Sequence, residues 1–311
     1  MKRSLVHKIT RATLILAFCI STTNAFSQTE DADKPVTDRN IKGFQAGIYV
    51  GSLIPNQSTS GLYDGYGFDS IGVKNNFYRS FMYRSIVMTY GGGYGYGFPD
   101  QIAQALNVNH GDWNFDQTDM PVKMKYSPAV SVGLHMLYCI DKKNAIILNT
   151  NTTKLTLTGN FTITLNTSLI GPQQPNYENI KTFPITGGEK RALFQVGYQH
   201  SFGDDVLSFF AEGGASLNMI KFLKNQVTIN SLVIDLSSYY AQPYYAAYRA
   251  NKLTGYGLGA FAGLGFNYFV SLRCRLQLLY NPSLDKLNFG PYSDYKLQHQ
   301  VGLRVYYQMK K

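Results

Sequence analysis

The chain has 311 residues, including 24 Tyr, 19 Phe and 29 Gly, and only 15% of its residues are charged. A charged fraction this low is unusual for a soluble globular protein. The formal net charge is +10, but the first 25 residues contain four basic and no acidic side chains, so the remainder carries +6. That charge is too small and too scattered to predict nucleic-acid binding.

The first residues follow the pattern of a secretory signal peptide. A basic stretch ends at Arg11, an apolar core runs from Leu14 to Ile20, and Thr23-Asn24-Ala25 is a plausible cleavage site. The apolar core is too short to cross a bilayer as a helix. We therefore predict a cleaved signal peptide over residues 1–25 and a polar periplasmic linker over residues 26–41.

Alternation of apolar and other side chains predicts eight membrane-spanning strands after residue 41. In the clearest strand, residues 254–268, an apolar series from Tyr256 to Tyr268 faces one way and a series of glycines faces the other. This strand measures roughly 40 Å along its length and roughly 30 Å across a bilayer after barrel tilt. The other predicted strands lie at 42–54, 126–140, 145–158, 194–202, 207–219, 272–280 and 297–307.

The third predicted strand, residues 145–158, is the least regular. Its apolar parity slips around Asn149 to Thr153. Because one extra residue in a strand shifts the parity in this way, the slip predicts a β-bulge.

The connections between the predicted strands alternate between short and long. Hairpin-sized turns alternate with long loops that we predict at 55–124, 159–189 and 220–252, and with a shorter fourth loop before residue 297. Short periplasmic turns and long outer loops are typical of outer-membrane barrels. The sequence therefore predicts an all-β, antiparallel up-and-down transmembrane β-barrel over residues 42–309, with both termini in the periplasm. Tyr126, Tyr256 and Tyr280 are expected in the outer aromatic girdle.

This pattern resembles the eight-stranded outer-membrane β-barrels of Gram-negative bacteria, in particular the OmpA-like and PorT-like barrel families. The resemblance extends over residues 42–309 as a pattern of strands and connections, and it involves no catalytic signature. It implies an outer-membrane location, a barrel wall in contact with outer-membrane lipid, and a function carried mainly by the loops.

The interior of an eight-stranded barrel is just wide enough for side chains. The predicted inward positions include a set of charged residues, namely Glu212, Arg273, Arg275 and Arg304. Because buried charges need partners, we predict that Glu212 pairs with one or more of the three arginines. This favours a polar network that plugs the lumen, and the alternative is an ion or proton path.

The long loops are rich in aromatic residues that are candidates for binding. These candidates are Tyr94, Tyr96, Trp113, Tyr244, Tyr245 and Tyr248. Tyrosine offers a large amphipathic surface at low entropic cost, which suits contact with a protein or a glycan. The alternative is that these side chains pack the loops against each other. The expected partner is another outer-membrane or surface protein.

Metal and cofactor sites are not predicted. Residues from Asp112 onward begin like a calcium-binding EF-hand loop, but Gln117 and Lys123 stand where that loop needs Gly and Glu. A looser calcium site through Asp112, Asp116 and Asp119 is the remaining alternative. Cys139 and Cys274 lie on distant predicted strands and are too few for a cysteine metal site, so we expect neither a disulfide nor a metal there.

Catalysis is not predicted either. His200 and the adjacent Ser201 point to opposite faces of a strand, and Ser131 and His135 share a face but are too far apart for direct contact. The sequence therefore predicts a non-catalytic barrel whose outer loops bind a partner or anchor a surface complex. The alternatives are an accessory subunit of an outer-membrane secretion or assembly machine, and a lipid-modifying barrel enzyme.

Overall fold

The computed structural model describes residues 42–69, 73–93, 99–166, 179–203, 206–237, 254–271, 273–289 and 292–308. The predicted signal peptide and linker lie outside these residues. The described strands are β1 (Gly43–Ile54), β2 (Trp113–Asn114), β3 (Lys125–Tyr126), β4 (Ala129–Cys139), β5 (Asn144–Leu165), β6 (Ile180–Phe202), β7 (Leu207–Ile229), β8 (Leu232–Asp235), β9 (Thr254–Phe269), β10 (Cys274–Phe289) and β11 (Tyr292–Gln308).

The helical segments of the described residues are short and lie between β1 and β4. They are the 3₁₀ turns Gln57–Tyr63, Phe77–Arg79 and Gln117–Asp119, the α-helical segments Phe81–Tyr83 and Gln101–Leu106, and the π-helical turn Arg84–Tyr90. Within the described parts of the chain, no helix is long and apolar enough to cross a membrane.

Eight of the strands form a closed antiparallel barrel. The strands β1, β4, β5, β6, β7, β9, β10 and β11 pair in that order. The ring closes where β11 pairs with β1, for example Val305 with Ile48. A closed ring leaves no unpaired strand edge, which is the condition for crossing a membrane with strands. The predicted eight-stranded, up-and-down fold is confirmed.

From the short turns upward, the outward face of the eight strands carries the apolar side chains that alternation predicts. Leu258, Val130 and Leu134 are 69%, 68% and 61% exposed. Side chains of the opposite parity, such as Gln195 and Asn267, are fully buried and polar. An apolar exterior around a polar interior is the arrangement of a barrel wall that contacts lipid. We call this part of the strands, up to Lys154, Lys190 and Lys221, the membrane barrel.

Five strands extend well beyond their predicted ends. β5 continues to Leu165, β6 already begins at Ile180, and β7 continues to Ile229. The loops predicted at 159–189 and 220–252 are therefore wrong where these strands replace them. β10 and β11 are also extended, to Phe289 and from Tyr292, which removes the predicted fourth loop. We call the parts of β5, β6 and β7 beyond the membrane barrel the upper wall.

In the upper wall the polarity of the two faces is the reverse of that in the membrane barrel. The outward residues of the upper wall include Thr156, Thr158, Thr182 and Gln226, whereas most of its inward residues are apolar and buried. The buried inward residues are Leu155, Leu157, Phe161, Ile163, Phe183, Ile185, Phe222, Val227 and Ile229. Because a polar outer face and an apolar inner face suit water outside and a protein core inside, the upper wall stands outside the bilayer.

This reversal explains the parity slip in β5, and the bulge predicted at Asn149 to Thr153 is wrong. Pairing of β5 with β4 and with β6 runs through these residues without a register shift. Asn149 and Thr153 remain on the inner face, which is polar here and becomes apolar from Leu155 onward. The register of the barrel shifts elsewhere, between Gly188 and Glu189 where β6 pairs with β7.

The connection between β1 and β4 folds into a compact unit against the inner face of the upper wall. We call its described residues between 55 and 128 the cap. Cap residues such as Tyr63, Met82, Ile86 and Ile102 are almost completely buried, and they share one apolar core with the upper wall and β8. Two cap segments, β2 and β3, also extend the sheet by pairing with β5. The described part of the first loop thus packs inside the mouth of the barrel.

Candidate functional site: a filled lumen beneath a folded cap

The charged centre of the membrane barrel is the pair Glu212 and Arg304. These residues lie on β7 and β11 and meet across the lumen. Nη1 of Arg304 donates to Oε2 of Glu212 at 2.6 Å, and Nη2 donates to Oε1 at 2.7 Å. Both side chains are completely buried. A two-pronged bond of this kind fixes the relative orientation of guanidinium and carboxylate and neutralises both charges.

The other two arginines predicted for this network lie elsewhere. Arg275 is buried, its Nη2 donates to Oε1 of Gln45 at 2.8 Å, and its guanidinium lies 5.3 Å from the ring centre of Tyr306. Arg273 lies in the turn before β10 and is partly exposed. Of the three arginines, the structure brings Arg304 to Glu212.

Amides and one histidine fill the middle of the lumen. Oε1 of Gln195 accepts hydrogen bonds from the amides of Asn149 at 3.4 Å and Asn281 at 3.1 Å. Asn151 bonds to Nε2 of His135 at 2.7 Å and donates to Gln300 at 3.3 Å. These bonds connect strands on different sides of the ring, so the side chains cross the lumen and leave little free space.

A second buried network joins the top of the lumen to the cap. Nε of Arg191 donates to Oε1 of Glu189 at 2.6 Å, and the hydroxyl of Tyr63 in the cap donates to Oε2 of Glu189 at 2.7 Å. The hydroxyl of Tyr126 lies 3.3 Å from Nη2 of Arg191 and 2.8 Å from the hydroxyl of Thr59. We call Tyr63, Tyr126, Glu189 and Arg191 the latch.

The latch was not predicted from the sequence, and the placement of Tyr126 in the outer girdle is wrong. Glu189 fell at the end of a predicted loop, and Tyr126 fell at the start of a predicted strand. Tyr126 is buried, with 8% exposure, because β3 turns its ring toward the cap core. The apolar residues of β5 beyond Lys154 were the signal that could have revealed a buried region at this level.

The space left beside the latch is very small. Residues of the upper lumen, including Arg191, Asp285 and Gln298, surround a cavity of about 10 Å³. A cavity of roughly 10–15 Å³ is the least that can hold one water molecule. This cavity, between the cap and the Glu212–Arg304 pair, can therefore hold at most about one water molecule.

The surface of the cap contains an open groove of about 540 Å³ between the turn Gln57–Tyr63 and residues 122–126. Val122 at its rim is 85% exposed. Asp64 lines the groove and accepts a hydrogen bond from Nζ of Lys74 at 2.6 Å. Burial raises the pKa of Asp64, and Lys74 opposes that rise. The groove therefore combines apolar surface with charged groups of both signs.

Among the predicted binding residues, Trp113 is the one that the structure describes. Its indole N–H donates to Oδ2 of Asp100 at 2.9 Å, and its half-buried ring packs against the cap core. Asp100 also caps the helix Gln101–Leu106 by accepting from the backbone of Ala103 at 2.8 Å. The contacts of Trp113 thus stabilise the cap. Tyr94, Tyr96, Tyr244, Tyr245 and Tyr248 lie outside the described residues.

The three aspartates of the alternative calcium site have separate structural contacts. Asp116 caps the turn Gln117–Asp119, and its bonds to the hydroxyl and backbone N–H of Thr118 hold its pKa below the usual range. Asp119 is buried and accepts from the backbone of Asp116 at 2.9 Å. Asp112 accepts from the side chain of Asn109 at 2.9 Å. In the described parts of the chain, no group of three His, Cys, Asp or Glu residues is placed to hold a metal ion.

The serine and histidine pairs do not form a catalytic arrangement in the described residues. His135 bonds to Asn151 and stacks on Tyr49 at 5.0 Å between ring centres. The hydroxyl of Ser131 is buried and makes no hydrogen bond to the residues that the structure describes. Nδ1 of His200 lies 2.8 Å from Oδ1 of Asn144. His135 and His200 thus each contact a side-chain amide and not a serine. Cys139 and Cys274 are both free.

The closed ring, the apolar outer band and the polar interior together define an eight-stranded transmembrane β-barrel of the outer-membrane type. Protein-family models and curated protein sequences show no match to this chain. Solved structures do resemble it. The outer membrane protein OprG of Pseudomonas aeruginosa is 10% identical with a TM-score of 0.42, and the match covers 88% of this chain and 100% of OprG.

Two further barrels match at similar levels. Ail, the attachment invasion locus protein of Yersinia pestis, is 10% identical with a TM-score of 0.37 over 86% of this chain and 99% of Ail. The N-terminal β-barrel domain of Pseudomonas aeruginosa OprF is 12% identical with a TM-score of 0.31 over 59% of this chain and 90% of that domain. Similarity of this size says nothing about the function of the present chain.

Proposed function

We propose that the protein is a non-catalytic, non-conducting outer-membrane barrel whose cap binds a partner protein or anchors a surface complex. The observation that carries this proposal is the apolar core shared by the cap and the upper wall. A surface that is already folded loses little conformational entropy on binding, so a folded cap is better suited to recognition than a flexible loop.

The orientation follows from the connections. The turns at residues 140–143 and 270–273 are short, and the cap lies at the opposite end of the barrel. In outer-membrane barrels the short turns face the periplasm. The cap then faces the cell exterior, both termini face the periplasm, and residues 1–25 act as the signal peptide that directs export.

The groove in the cap is the proposed contact surface. Its exposed apolar rim at Val122 and its mixed charges at Asp64, Lys123 and Lys125 suit a protein partner, because protein interfaces combine an apolar centre with a polar rim. The filled lumen does not favour conduction, and the contacts of His135 and His200 do not favour catalysis.

Photocrosslinking on intact cells tests the groove. A photoreactive amino acid at Val122 is expected to give a discrete adduct with one protein, whereas the same probe at Val233 on β8 serves as the matched control. Both side chains are exposed, at 85% and 54%, but they lie on different parts of the surface. Lys125→Glu should abolish the adduct at Val122 and leave folding unchanged. The same adducts at both positions, or none at Val122, would contradict the proposal.

Conductance tests the closed lumen. The purified protein in a planar bilayer is expected to show no steady single-channel current, because the Glu212–Arg304 pair and the latch block the lumen at two levels. The double variant Glu189→Ala, Arg191→Ala removes the upper block while the lower pair remains, so it should also stay closed. Steady current through the unaltered protein would contradict the non-conducting assignment.

A further inference from the structure

Three lysines lie side by side on the outer surface of the barrel. Lys154 on β5 pairs directly with Lys190 on β6, and Lys190 pairs directly with Lys221 on β7. All three side chains are exposed. Cβ atoms of directly opposed residues lie roughly 4.5–5.5 Å apart, so three positive charges fall within a strip about 10 Å wide. We call these residues the lysine row.

The lysine row has no acidic partner among the described residues. The ion pairs of the described region join other side chains. Glu189 is adjacent to Lys190 in sequence, but it points into the lumen and bonds to Arg191 and Tyr63. Like charges directly opposite each other destabilise a sheet. The row is therefore a surface that an external anion would stabilise.

The lysine row lies at the boundary of the lipid-facing surface. Phe202 pairs with Phe209 near the short turn between β6 and β7, and Lys190 and Lys221 lie twelve residues further along these same strands. Twelve residues of tilted strand cross roughly 30 Å, which is the thickness of the hydrocarbon core. Beyond the row the outward residues of β5 are polar, from Thr156 to Thr164, and those of β6 include Thr186 and Thr182. The ammonium groups consequently lie at the depth of lipid headgroups.

The surface below the row suits an acyl chain. Thr152 pairs with Ala192 directly beneath Lys154 and Lys190, and Ala192 pairs in turn with Met219. Thr152 and Ala192 are small, so the wall is shallow at this point, whereas Phe194 lies further down on the same face. A cationic row above and a shallow strip below are the two features that can hold the anionic headgroup and an acyl chain of a phospholipid or phosphorylated glycolipid.

We propose that Lys154, Lys190 and Lys221 form a binding site for the phosphate group of an anionic lipid in the leaflet on the cap side. The lysines supply the charge, and the strip formed by Thr152, Ala192 and Met219 holds an acyl chain. This site lies on the outer wall of the barrel and is independent of the groove in the cap. If the cap binds no partner, the lipid site can still exist, and if the lysine row binds no lipid, the cap can still bind a partner.

Native mass spectrometry of the full-length protein in detergent tests the site with three probes: bisphosphorylated lipid A, its dephosphorylated form, and inorganic phosphate. We expect the bisphosphorylated lipid to bind. One lysine near a membrane surface contributes about fivefold in affinity, so changing all three lysines to glutamine should weaken binding about 100-fold. The control variant Lys142→Gln, Lys143→Gln removes two exposed lysines from the opposite end of the barrel and should bind as the unaltered protein does.

Three outcomes would overturn the proposal. They are equal binding of the phosphorylated and dephosphorylated lipids, equal binding by the lysine-row variant and the control variant, and displacement of the lipid by millimolar inorganic phosphate. The last outcome would indicate a site for free phosphate instead of a lipid.

Stability gives a second readout whose sign separates lipid binding from a structural role. Lys190→Gln relieves repulsion from both neighbours, so in zwitterionic vesicles its urea midpoint should equal or exceed that of the unaltered protein. In vesicles that contain the bisphosphorylated lipid, the same variant should unfold at lower urea than the unaltered protein. A lower midpoint in both kinds of vesicle would indicate a purely structural role and would contradict the proposal.

Discussion

The membrane barrel and the upper wall are built from the same strands but have opposite polarity. In the membrane barrel, Leu148 faces outward and Asn149 inward, whereas in the upper wall Leu157 faces inward and Thr158 outward. Backbone pairing of β5 with β6 continues across the change without interruption. Because ladder hydrogen bonds do not depend on side-chain polarity, one continuous sheet can serve both lipid and water. The surroundings of a strand segment, and not its pairing, decide which face is apolar.

The largest effect is expected from breaking the charge pair in the membrane barrel. Glu212→Ala leaves Arg304 buried without its partner, which should lower stability by about 3–5 kcal/mol. Glu212→Gln should cost less, because it keeps the volume and one hydrogen-bond acceptor. The fraction folded can be measured against urea from the different gel mobilities of folded and unfolded barrel. In the double variant Glu212→Ala, Arg304→Met part of the loss should be recovered, and an unchanged midpoint for Glu212→Ala would refute a stabilising role.

A lysine placed on the outward face distinguishes the two regions of β6. Val196 lies midway between Phe202 and Lys190, so Val196→Lys puts a charge near the bilayer centre and should cost about 2–4 kcal/mol. Thr182→Lys makes the same outward change in the upper wall, where the side chain is exposed to water, and should be nearly neutral. Urea midpoints of both variants in one lipid provide the comparison. Equal losses would mean that the upper wall also contacts lipid.

The latch predicts an effect confined to the cap. Tyr63→Phe removes the hydrogen bond to Glu189, and a bond to a charged group contributes about 1.5–3 kcal/mol. Protease should therefore cut the cap of this variant faster, while the gel mobility of the folded barrel stays unchanged. Tyr78→Phe alters a tyrosine that is 71% exposed in the same cap and should leave the cleavage rate as it was. Equal rates for the two variants would show that the latch does not hold the cap.

The smallest predicted effect is a loss of local order in the cap at low pH. Hydrogen bonds to Thr118 hold the pKa of Asp116 below its ordinary value of 3.8. A carboxyl with a lowered folded pKa stabilises the folded state above the unfolded pKa, and this contribution disappears as pH falls through the folded pKa. Hydrogen exchange of the Thr118 amide, corrected for its intrinsic rate, should therefore accelerate as the pH falls through the pKa of Asp116 in the folded protein. In Asp116→Asn the corrected exchange rate of Thr118 should depend less on pH. A steeper dependence on pH in this variant would contradict the assignment of the effect to Asp116.

The barrel could be predicted from the sequence because lipid imposes one simple alternation. The upper wall could not be predicted in this way, because a search for outward apolar residues discards strand segments whose apolar residues face inward. In β5 the apolar residues face inward from Leu155 onward. The need of Glu212 for an arginine was predictable from the cost of a buried charge. The choice of Arg304 depends on ring closure, which places β7 and β11 across the lumen, and Arg275 instead bonds to Gln45 beside the ring of Tyr306.

The latch and the cap core could not be predicted from the sequence for a related reason. Tyr63 and Glu189 are 126 residues apart in the chain, and their contact follows from the folding of the cap against the upper wall. A parity test applied separately to each part of a long strand would have found the apolar series Leu155, Leu157, Phe161 and Ile163. No local pattern in the cap indicates which of its aromatic residues meet that series.

The position of the membrane boundary is the central claim, and spin-label accessibility along β7 tests it most directly. Single cysteines at the outward residues Leu217, Met219, Gln226 and Thr228, in a protein with Cys139 and Cys274 changed to serine, can carry the label. In lipid vesicles, labels at 217 and 219 should be more accessible to oxygen than to a water-soluble nickel complex. Labels at 226 and 228 should show the reverse, with the change at Lys221. Preferential oxygen access at 226 and 228 would contradict the account, because it would place the upper wall in lipid.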